Sequence, residues 1–183
     1  MAKEQIWLDT GYQIFAAKGP HGLRIERLAK EVNKNKSSFY HFFADPEVFT
    51  SRLLAFHLKK VEEIAQKEAA APNEAALTQI ILEHKVDLLF YRQLRVHREQ
   101  AQYKACFEKA NEISLAGLLP IWSEITRLAS QKDLAGMVLV LSNENFFLQI
   151  TDETLTEEWI SEYFTKIKWM VQAFQISQRT SSQ

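Results

Sequence analysis

Apolar side chains recur at helical spacing along almost the whole chain of 183 residues. Leu8, Tyr12 and Phe15 stand at positions i, i+4 and i+7, and the same period returns in the later segments. Turn-forming residues are scarce, with 5 glycines and 4 prolines, and no segment has a convincing strand pattern. Because each such stripe must be buried against another helix, the sequence predicts an all-α protein.

Two asparagines mark the ends of short helices near the N-terminus. A second helix is predicted over about residues 25–32, and Asn33 suits the left-handed conformation that follows a helix end. Asn35 stands where the N-cap of a third helix belongs, and that helix is predicted over about 36–42. Together with the first helix, these segments form a helix-turn-helix unit.

The run Asp45-Pro46-Glu47 is the clearest helix start in the chain. Asp suits the N-cap, Pro the first helical position, and Glu the positive end of the helix dipole. A fourth helix over about 46–70 is therefore predicted. The later helices are predicted over about 74–92, 97–130 (two helices, with Gly117 and Pro120 marking a kink or junction), 132–150 and 155–175.

The predicted third helix has an aromatic side and a polar side. Phe39, Phe42 and Phe43 are expected to anchor it from behind. The opposite side carries small, basic and hydroxyl-bearing residues, which suit a close approach to DNA and hydrogen bonds to phosphate. A small helical subdomain with a solvated polar face would give the same pattern.

Charge is distributed unevenly along the chain. Residues 1–60 contain ten Lys/Arg and six Asp/Glu, whereas residues 61–183 contain twelve and seventeen. The basic N-terminal third indicates a polyanionic partner, and a chance fluctuation is the alternative.

The segments WLDTGYQIFAAKG and IERLAKEVNKNKSSFYHFF, followed by a capped helix at Asp45, resemble the DNA-binding domain of the tetracycline-repressor (TetR) family. The resemblance covers about residues 5–55. It implies a helix-turn-helix domain over 1–45 and a larger helical ligand-binding and dimerisation domain over 46–183, with helix 46–70 connecting the two. It also implies a ligand-responsive regulator of operator DNA, usually a repressor, with activation as the alternative. The residues expected at the DNA are Arg24, Lys34, Lys36, Ser37, Ser38, Tyr40 and His41.

Two positions depart from the family pattern. The turn has Asn33-Lys34 where glycine and an apolar residue are usual, and Pro46 stands where a phosphate-binding lysine is usual. These departures support an alternative function. The chain would then be a helical interaction or small-molecule-binding module of the same fold that has lost sequence-specific DNA binding.

The two C-terminal helices, 132–150 and 155–175, carry more apolar surface than one partner face can bury. This predicts a homodimer that forms a four-helix interface with a second copy. A charge at Phe147 or Phe164 is expected to give monomers or unfolded protein.

An internal pocket for a small-molecule effector is predicted where Gly117 and Pro120 interrupt regular helix packing. The pocket would lie between helix 74–92 and the helices of 97–130. Its candidate lining residues are His84, Tyr103, Phe107 and Trp122.

The sequence carries no signal for an enzyme or a membrane segment. No histidine has a glutamate three residues before it, and the HExxH, GxSxG and glycine-rich phosphate-loop motifs are missing. Glu83, His84 and Asp87 could share a helix face and bind a metal, but a lone cluster of this kind is usually surface or pocket polarity.

The run Leu134–Leu141 is too short to span a bilayer, no secretory signal is seen, and the single Cys106 fits a reducing compartment. We therefore predict a cytoplasmic protein that is not an enzyme and has no cofactor or metal.

Overall fold

The computed structural model describes residues 2–180, with side chains over residues 3–176. Over this range the chain is helical and has no strand, so the predicted all-α class is confirmed. A 3₁₀ turn, Pro20–Gly22, follows the first helix. The α-helices are α1 (Ala2–Lys18), α2 (Ile25–Glu31), α3 (Lys36–Phe42), α4 (Pro46–Ala69), α5 (Glu74–Glu83), α6 (Lys85–Val96), α7 (Ala101–Ile125), α8 (Lys132–Gln149) and α9 (Glu157–Thr180).

The chain folds as two compact units. The first unit contains residues 1–63 and 86–113, and the second contains 64–85 and 114–183. Helices α4 and α7 therefore each begin in the first unit and end in the second. Within residues 2–180, no helix combines the length and the apolar character that crossing a membrane requires.

The segment predicted as one helix over 74–92 forms two helices, α5 and α6, with His84 between them. No glycine or proline marks this break. It lies next to the boundary between the two units, which falls between Lys85 and Val86. Helices α5 and α6 each bury an apolar face, so apolar residues recur at helical spacing on both sides of the break. Periodicity alone therefore predicted a single helix.

The region predicted to hold two helices between 97 and 130 contains a single long helix, α7, with Pro120 inside it. Gly117 is a contact point and not a junction. A Cβ atom added to Gly117 would lie 2.7 Å from the carbonyl oxygen of Ala65 on α4. The missing side chain thus lets two helices touch at their backbones. Helix α7 continues through Pro120, which lacks a backbone hydrogen-bond donor.

A buried polar network lies in the first unit. The hydroxyl of Tyr12 on α1 donates to Asp87 on α6 at 2.8 Å and lies 2.7 Å from Nδ1 of His57 on α4. Because Tyr12 gives its only proton to Asp87, Nδ1 of His57 carries the hydrogen and donates to the tyrosine oxygen. Nε2 of His57 has no hydrogen-bond partner within the described range, and burial lowers the pKa of His57 to about 3. The Tyr12 and His57 rings both stack on Phe90, at 4.3 and 4.4 Å between centroids.

Aromatic packing joins α8 and α9 in the second unit. The rings of Phe146 and Tyr163 lie 5.5 Å apart, and the Tyr163 hydroxyl donates to the carbonyl of Ser142 at 2.5 Å. On another side of α9, Nζ of Lys168 lies 2.8 and 3.0 Å from the two carboxylate oxygens of Glu74 on α5. These contacts fix α9 against two other helices of the same unit.

Candidate nucleic-acid interface

The turn between α2 and α3 is closed by backbone hydrogen bonds. Asn33 has a φ of 52°, the left-handed conformation predicted for it. Its amide donates to the carbonyl of Lys30 at 3.1 Å, and the amide of Lys34 donates to the carbonyl of Ala29 at 2.9 Å. This pair of bonds is a Schellman motif, which satisfies the last carbonyls of α2 and sets the direction in which the chain enters α3. Asn33 therefore replaces the usual glycine without opening the turn.

Asn35 caps α3 as predicted. Its side-chain Oδ1 accepts hydrogen bonds from the amide and from the hydroxyl of Ser38, both at 2.8 Å. The helix covers Lys36–Phe42, which is the predicted range. Since the Ser38 hydroxyl already donates its proton inside the protein, Ser38 can donate to a phosphate only after this bond breaks.

Four buried aromatic rings hold α3 from behind. Phe39 and Phe43 are fully buried, and the Phe39 ring lies 5.5 Å from Trp7 and 5.3 Å from Phe49. The rings of Phe43 and Phe49 are 4.9 Å apart. Phe42, which was also predicted to anchor the helix, is only half-buried and lies 6.4 Å from Phe43 at the edge of the cluster. Sequence reasoning missed Trp7, because nothing local shows that α1 packs behind α3.

The opposite side of α3, and the turn before it, is open to solvent. Tyr40 is 52% exposed, with its ring edge-on to Phe39 at 5.6 Å. Arg24 lies in extended backbone immediately before α2. The exposed members of the predicted DNA-binding set are Arg24, Lys34, Lys36, Ser37, Tyr40 and His41, and Ser38 is half-buried.

Lys36 forms an ion pair on this surface. Its Nζ lies 2.5 Å from Oε1 of Glu26, in the first turn of α2. The hydrogen bond from Lys36 lowers the pKa of Glu26 below its ordinary value, and the lysine charge adds to the effect. Sequence reasoning missed this pair because the two residues are ten positions apart and only the folded turn brings them together. A phosphate that approaches Lys36 must compete with the Glu26 carboxylate.

Asp45 caps α4, as predicted. Its Oδ1 accepts from the amide of Val48 at 2.8 Å, and Pro46 takes the first helical position. One free amide of the helix end is thus occupied, and a negative charge lies beside the others. The N-terminus of α4 should therefore bind a phosphate more weakly than an uncapped helix N-terminus would.

Residues 8–47 match the model of a known family, described as bacterial regulatory proteins of the tetR family. The matched segment contains the body of α1, the closed turn, α3 and its aromatic anchor. The likeness to the TetR family lies in this segment, which holds the open face of α3.

Two solved structures share the fold of this chain over nearly its whole length. A TetR-family transcriptional regulator from Mesorhizobium loti is 16% identical, with a TM-score of 0.60, and the match covers 94% of this chain and 96% of that one. A second, from Rhodococcus sp., is 13% identical, with a TM-score of 0.53 and coverage of 94% and 98%. No curated protein matches the chain. The structural matches therefore extend the likeness in fold well beyond the N-terminal segment.

The four residues predicted to line a ligand pocket belong to different units of the chain. Tyr103 and Phe107 are buried in the first unit, and Trp122 is buried in the second. His84 is half-buried in the second unit, with Nε2 2.9 Å from Nζ of Lys67. A common pocket for the four stays a prediction. Over the described residues, no three His, Cys, Asp or Glu side chains are grouped as a metal site requires.

A groove of about 520 Å³ lies in the second unit, where α4 and α7 end. None of the four predicted pocket residues lines it, although Trp122 lies between two residues that do. The lining is mostly apolar and consists of Ala69, Ala71, Pro72, Leu119, Pro120, Ile121, Ser123, Glu124, Ala129 and Lys132.

Helices α8 and α9 expose large apolar side chains. Those on α8 are Met137, Val140, Leu141 and Leu148, and those on α9 are Trp169, Phe174 and Ile176. Three of the α8 residues recur at i, i+4 and i+11 and so share one helix face. By contrast, Phe147 and Phe164 are only 6% and 4% exposed. A charged residue at either position would disrupt the core of the protomer, so substitutions of these two phenylalanines cannot test dimerisation alone.

Proposed function

We propose that this TetR-family regulator is a ligand-responsive repressor that acts as a homodimer on duplex operator DNA. Residues 1–45 would bind the operator, and residues 46–183 would form the ligand-binding and dimerisation domain. The observation that carries the proposal is the open polar face of α3, held from behind by buried Phe39 and Phe43 inside the segment that matches the family. A rigid helix of this kind suits insertion into the major groove.

Five of the six exposed residues of the interface have a chemical role in this proposal. Lys34 and Arg24 meet phosphates and supply charge that releases counterions. Lys36 meets either a phosphate or the O6 and N7 acceptors of a guanine. Ser37 is small enough to let the helix backbone approach base edges, and the Tyr40 hydroxyl donates to a phosphate oxygen.

The exposed apolar face of α8 and α9 supports the dimer. Leu148 and Trp169 are 72% and 71% exposed, which is unusual for large apolar side chains unless a partner covers them. A second copy that presents the same face would cover both helices by two-fold symmetry. A ligand in residues 46–183 would act through its different affinities for the DNA-competent and incompetent states of this dimer.

A salt titration of DNA binding tests the proposal. Genomic footprinting with the purified protein first supplies a bound duplex, and a random duplex of equal length serves as the reference. The logarithm of the binding constant should fall linearly with the logarithm of salt concentration for both duplexes, with a higher constant for the footprinted one. Lys36→Ala should reduce the slope by about 0.9 if Lys36 meets the backbone, whereas Lys59→Ala, an exposed lysine well along α4, should leave it unchanged.

One result would favour the alternative function. If the folded wild-type protein gives no genomic footprint and binds no duplex at low salt, it is a helical module that has lost DNA binding. The Lys36–Glu26 pair and Pro46 at the start of α4 would then account for the loss, since each removes a contact for phosphate.

A further inference from the structure

The ion pair between Lys36 and Glu26 joins the first residue of α3 to the first turn of α2. Both side chains are more than half exposed, and exposed ion pairs contribute little to stability. The closed turn and the buried ring of Phe39 already fix the backbone of the two helices. The fold therefore does not depend on this pair, and an acidic residue on a surface that should attract phosphate requires another explanation.

The pair presents a hydrogen-bond donor beside an acceptor. Nζ of Lys36 carries three hydrogens, and the bond to Oε1 of Glu26 uses one of them. A carboxylate has several acceptor positions, so Glu26 can accept from a further donor. The hydrogen bond from Lys36 lowers the pKa of Glu26, which keeps the carboxylate ionised at neutral pH. Since Nζ and Oε1 are 2.5 Å apart, the donor and the acceptor form one compact recognition group.

A G·C base pair presents the complementary pattern in the major groove. O6 of guanine is an acceptor and N4 of cytosine is a donor. The two atoms are joined by a Watson–Crick hydrogen bond and therefore lie about 2.9 Å apart. An ammonium group on O6 and a carboxylate on N4 would thus each meet the group they require, at the spacing that the ion pair already has. Lysine on guanine and glutamate on cytosine are both established base contacts.

We propose that Glu26 and Lys36 together read one G·C base pair of the operator, with Lys36 on the guanine and Glu26 on the cytosine. This inference rests on the proposed function, since it names the base pair that one part of the interface selects. The N-terminal residues of a recognition helix contact base edges, and Lys36 is the first residue of α3. Because Glu26 is bonded to Lys36, its carboxylate reaches the same base pair.

The ion pair also favours one of the two roles open to Lys36. A phosphate has to compete with the Glu26 carboxylate for the ammonium group, and binding there leaves the carboxylate beside a second negative charge. The guanine of a G·C pair is different, because both of its acceptors can be met by the two remaining hydrogens of Nζ while the ion pair stays closed.

The orientation of the ion pair predicts an order of preference among the four base pairs. In C·G and A·T the ammonium group would face an amino group and the carboxylate would face a carbonyl oxygen, so both contacts are repulsive. T·A keeps a carbonyl oxygen for Lys36 and an amino group for Glu26, but it has the thymine methyl group where guanine has N7. The expected order is G·C first, T·A second and the two reversed pairs last.

Anisotropy titrations with base-pair variants of the footprinted duplex test the inference on the full chain. The wild type should prefer G·C over C·G by at least about fivefold at one position, and Lys36→Ala should lose this preference at that position alone. Lys34→Ala is the control for a phosphate contact and should weaken binding to all the duplexes alike. If no base preference of the wild type depends on Lys36, the inference is overturned.

A modified base tests the contact to Glu26. N4-methylcytosine still pairs with guanine but carries a methyl group in place of the hydrogen that points into the major groove. It should weaken wild-type binding at least about fivefold at the selected position and should have no such effect on Glu26→Ala. Alanine is used because glutamine would keep an acceptor. Glu31→Ala, at an exposed position on the same helix, should respond as the wild type does. An equal loss in the wild type and in Glu26→Ala would overturn the contact to cytosine.

Exchanging the two charges should reverse the preference. Glu26→Lys combined with Lys36→Glu keeps the net charge and puts the donor where the acceptor was. The double variant should prefer C·G over G·C at the selected position, and circular dichroism checks that it is folded. A folded double variant that still prefers G·C would overturn the inference.

The salt dependence of binding separates base contact from phosphate contact. Lys36→Ala should leave the slope nearly unchanged if Lys36 reads a base, whereas a slope reduced by about 0.9 would place Lys36 at the backbone and overturn the inference. DNA binding without any preference that depends on Lys36 would overturn the inference alone. A folded protein that binds no duplex would overturn the proposed function and the inference with it.

Discussion

The hydroxyl of Tyr12 donates a 2.8 Å hydrogen bond to Asp87, a residue 75 positions later in the chain. The bond joins α1 to α6 inside the first unit. Nζ of Lys60 also lies 3.2 Å from the same carboxylate oxygen. Asp87 is 6% exposed, so these donors stabilise a carboxylate that would otherwise be unfavourable in the interior.

Tyr12→Phe should destabilise the protein by about 1–3 kcal/mol, because it removes the donor to Asp87 and the acceptor for His57 while keeping the stacked ring. Urea unfolding at pH 7.5 measures the change. Tyr40→Phe is the matched control, since Tyr40 is exposed, and should alter stability by less than about 0.5 kcal/mol. Equal stability of Tyr12→Phe and the wild type would mean that the hydroxyl bonds give no net stabilisation.

The stability difference between the wild type and Glu68→Gln should depend on pH. Burial raises the pKa of Glu68 from an ordinary 4.5 to about 8, so the folded state holds a proton that the unfolded chain has lost. Wild-type stability should therefore fall as pH rises from about 4.5 to about 8 and level off above that, by at most about 5 kcal/mol. The Gln variant lacks this loss, so its advantage should grow over the same window.

Urea unfolding of both proteins from pH 5 to pH 9 checks this prediction. His57 acts in the opposite sense, since its pKa is lowered to about 3 and its contribution is lost as pH falls from about 6.5. It is present in both proteins and cancels in the difference. A difference that stays constant with pH would show that Glu68 is ionised in the folded protein.

Gly117→Ala should destabilise the protein by about 1–3 kcal/mol, because the new methyl group would lie 2.7 Å from the backbone oxygen of Ala65. Gly136→Ala provides the control within another helix, α8. A Cβ atom there meets nothing within 4 Å, so this change should stabilise by about 0.5–1 kcal/mol through helix propensity. Thermal unfolding of the two variants should shift in opposite directions, and a shift in the same direction would contradict the close helix contact.

Glu26→Gln should strengthen DNA binding, since it releases Lys36 from its ion pair. Exposed ion pairs of this kind are weak, so the gain in DNA affinity should be at most about fivefold. Glu31→Gln, an exposed residue on the same helix, is the control for the loss of one negative charge. Anisotropy titrations at two salt concentrations should give a larger gain for Glu26→Gln, and the excess should vanish when Lys36 is also replaced by Ala.

Leu148→Glu should convert a homodimer into folded monomers, because Leu148 is 72% exposed and a charge there disturbs only the surface. Sedimentation equilibrium at micromolar concentration measures the mass, and circular dichroism checks the fold. Phe164→Glu should instead lose helix content, since Phe164 is 4% exposed. Lys166→Glu, on an exposed part of α9, should remain dimeric. A monomeric wild type would contradict the proposed dimer.

The elements that sequence predicted well depend on local chemistry. Asn33, Asn35 and Asp45 each act on backbone groups within about four residues, so their roles could be recognised from the chain alone. The limits of α3 followed from the cap and the turn. The buried sides of Phe39 and Phe43 followed from their spacing.

The features that sequence missed depend on contacts between distant segments. The break at His84 has no local marker and lies beside the boundary between two units. Gly117 looked like a helix end, but Ala65, 52 positions earlier, determines its role. The pairing of Lys36 with Glu26 likewise needed the folded turn. The structure shows which phenylalanines of α8 and α9 are buried in the core. The spacing of apolar residues in the sequence did not distinguish them from the exposed ones.

If α3 reads the operator as proposed, its length sets how many base pairs one protomer can contact. Seven residues span about 10 Å of helix axis, which matches roughly three base pairs of B-DNA. A three-letter word recurs by chance about every 64 base pairs, and two such words at a fixed spacing about every 4,000, against a million or more competing sites in a genome. In the proposed complex, the bases contacted by α3 would specify only part of an operator. The remaining selectivity would have to come from the fixed distance between two half-sites and from how readily the DNA between them bends.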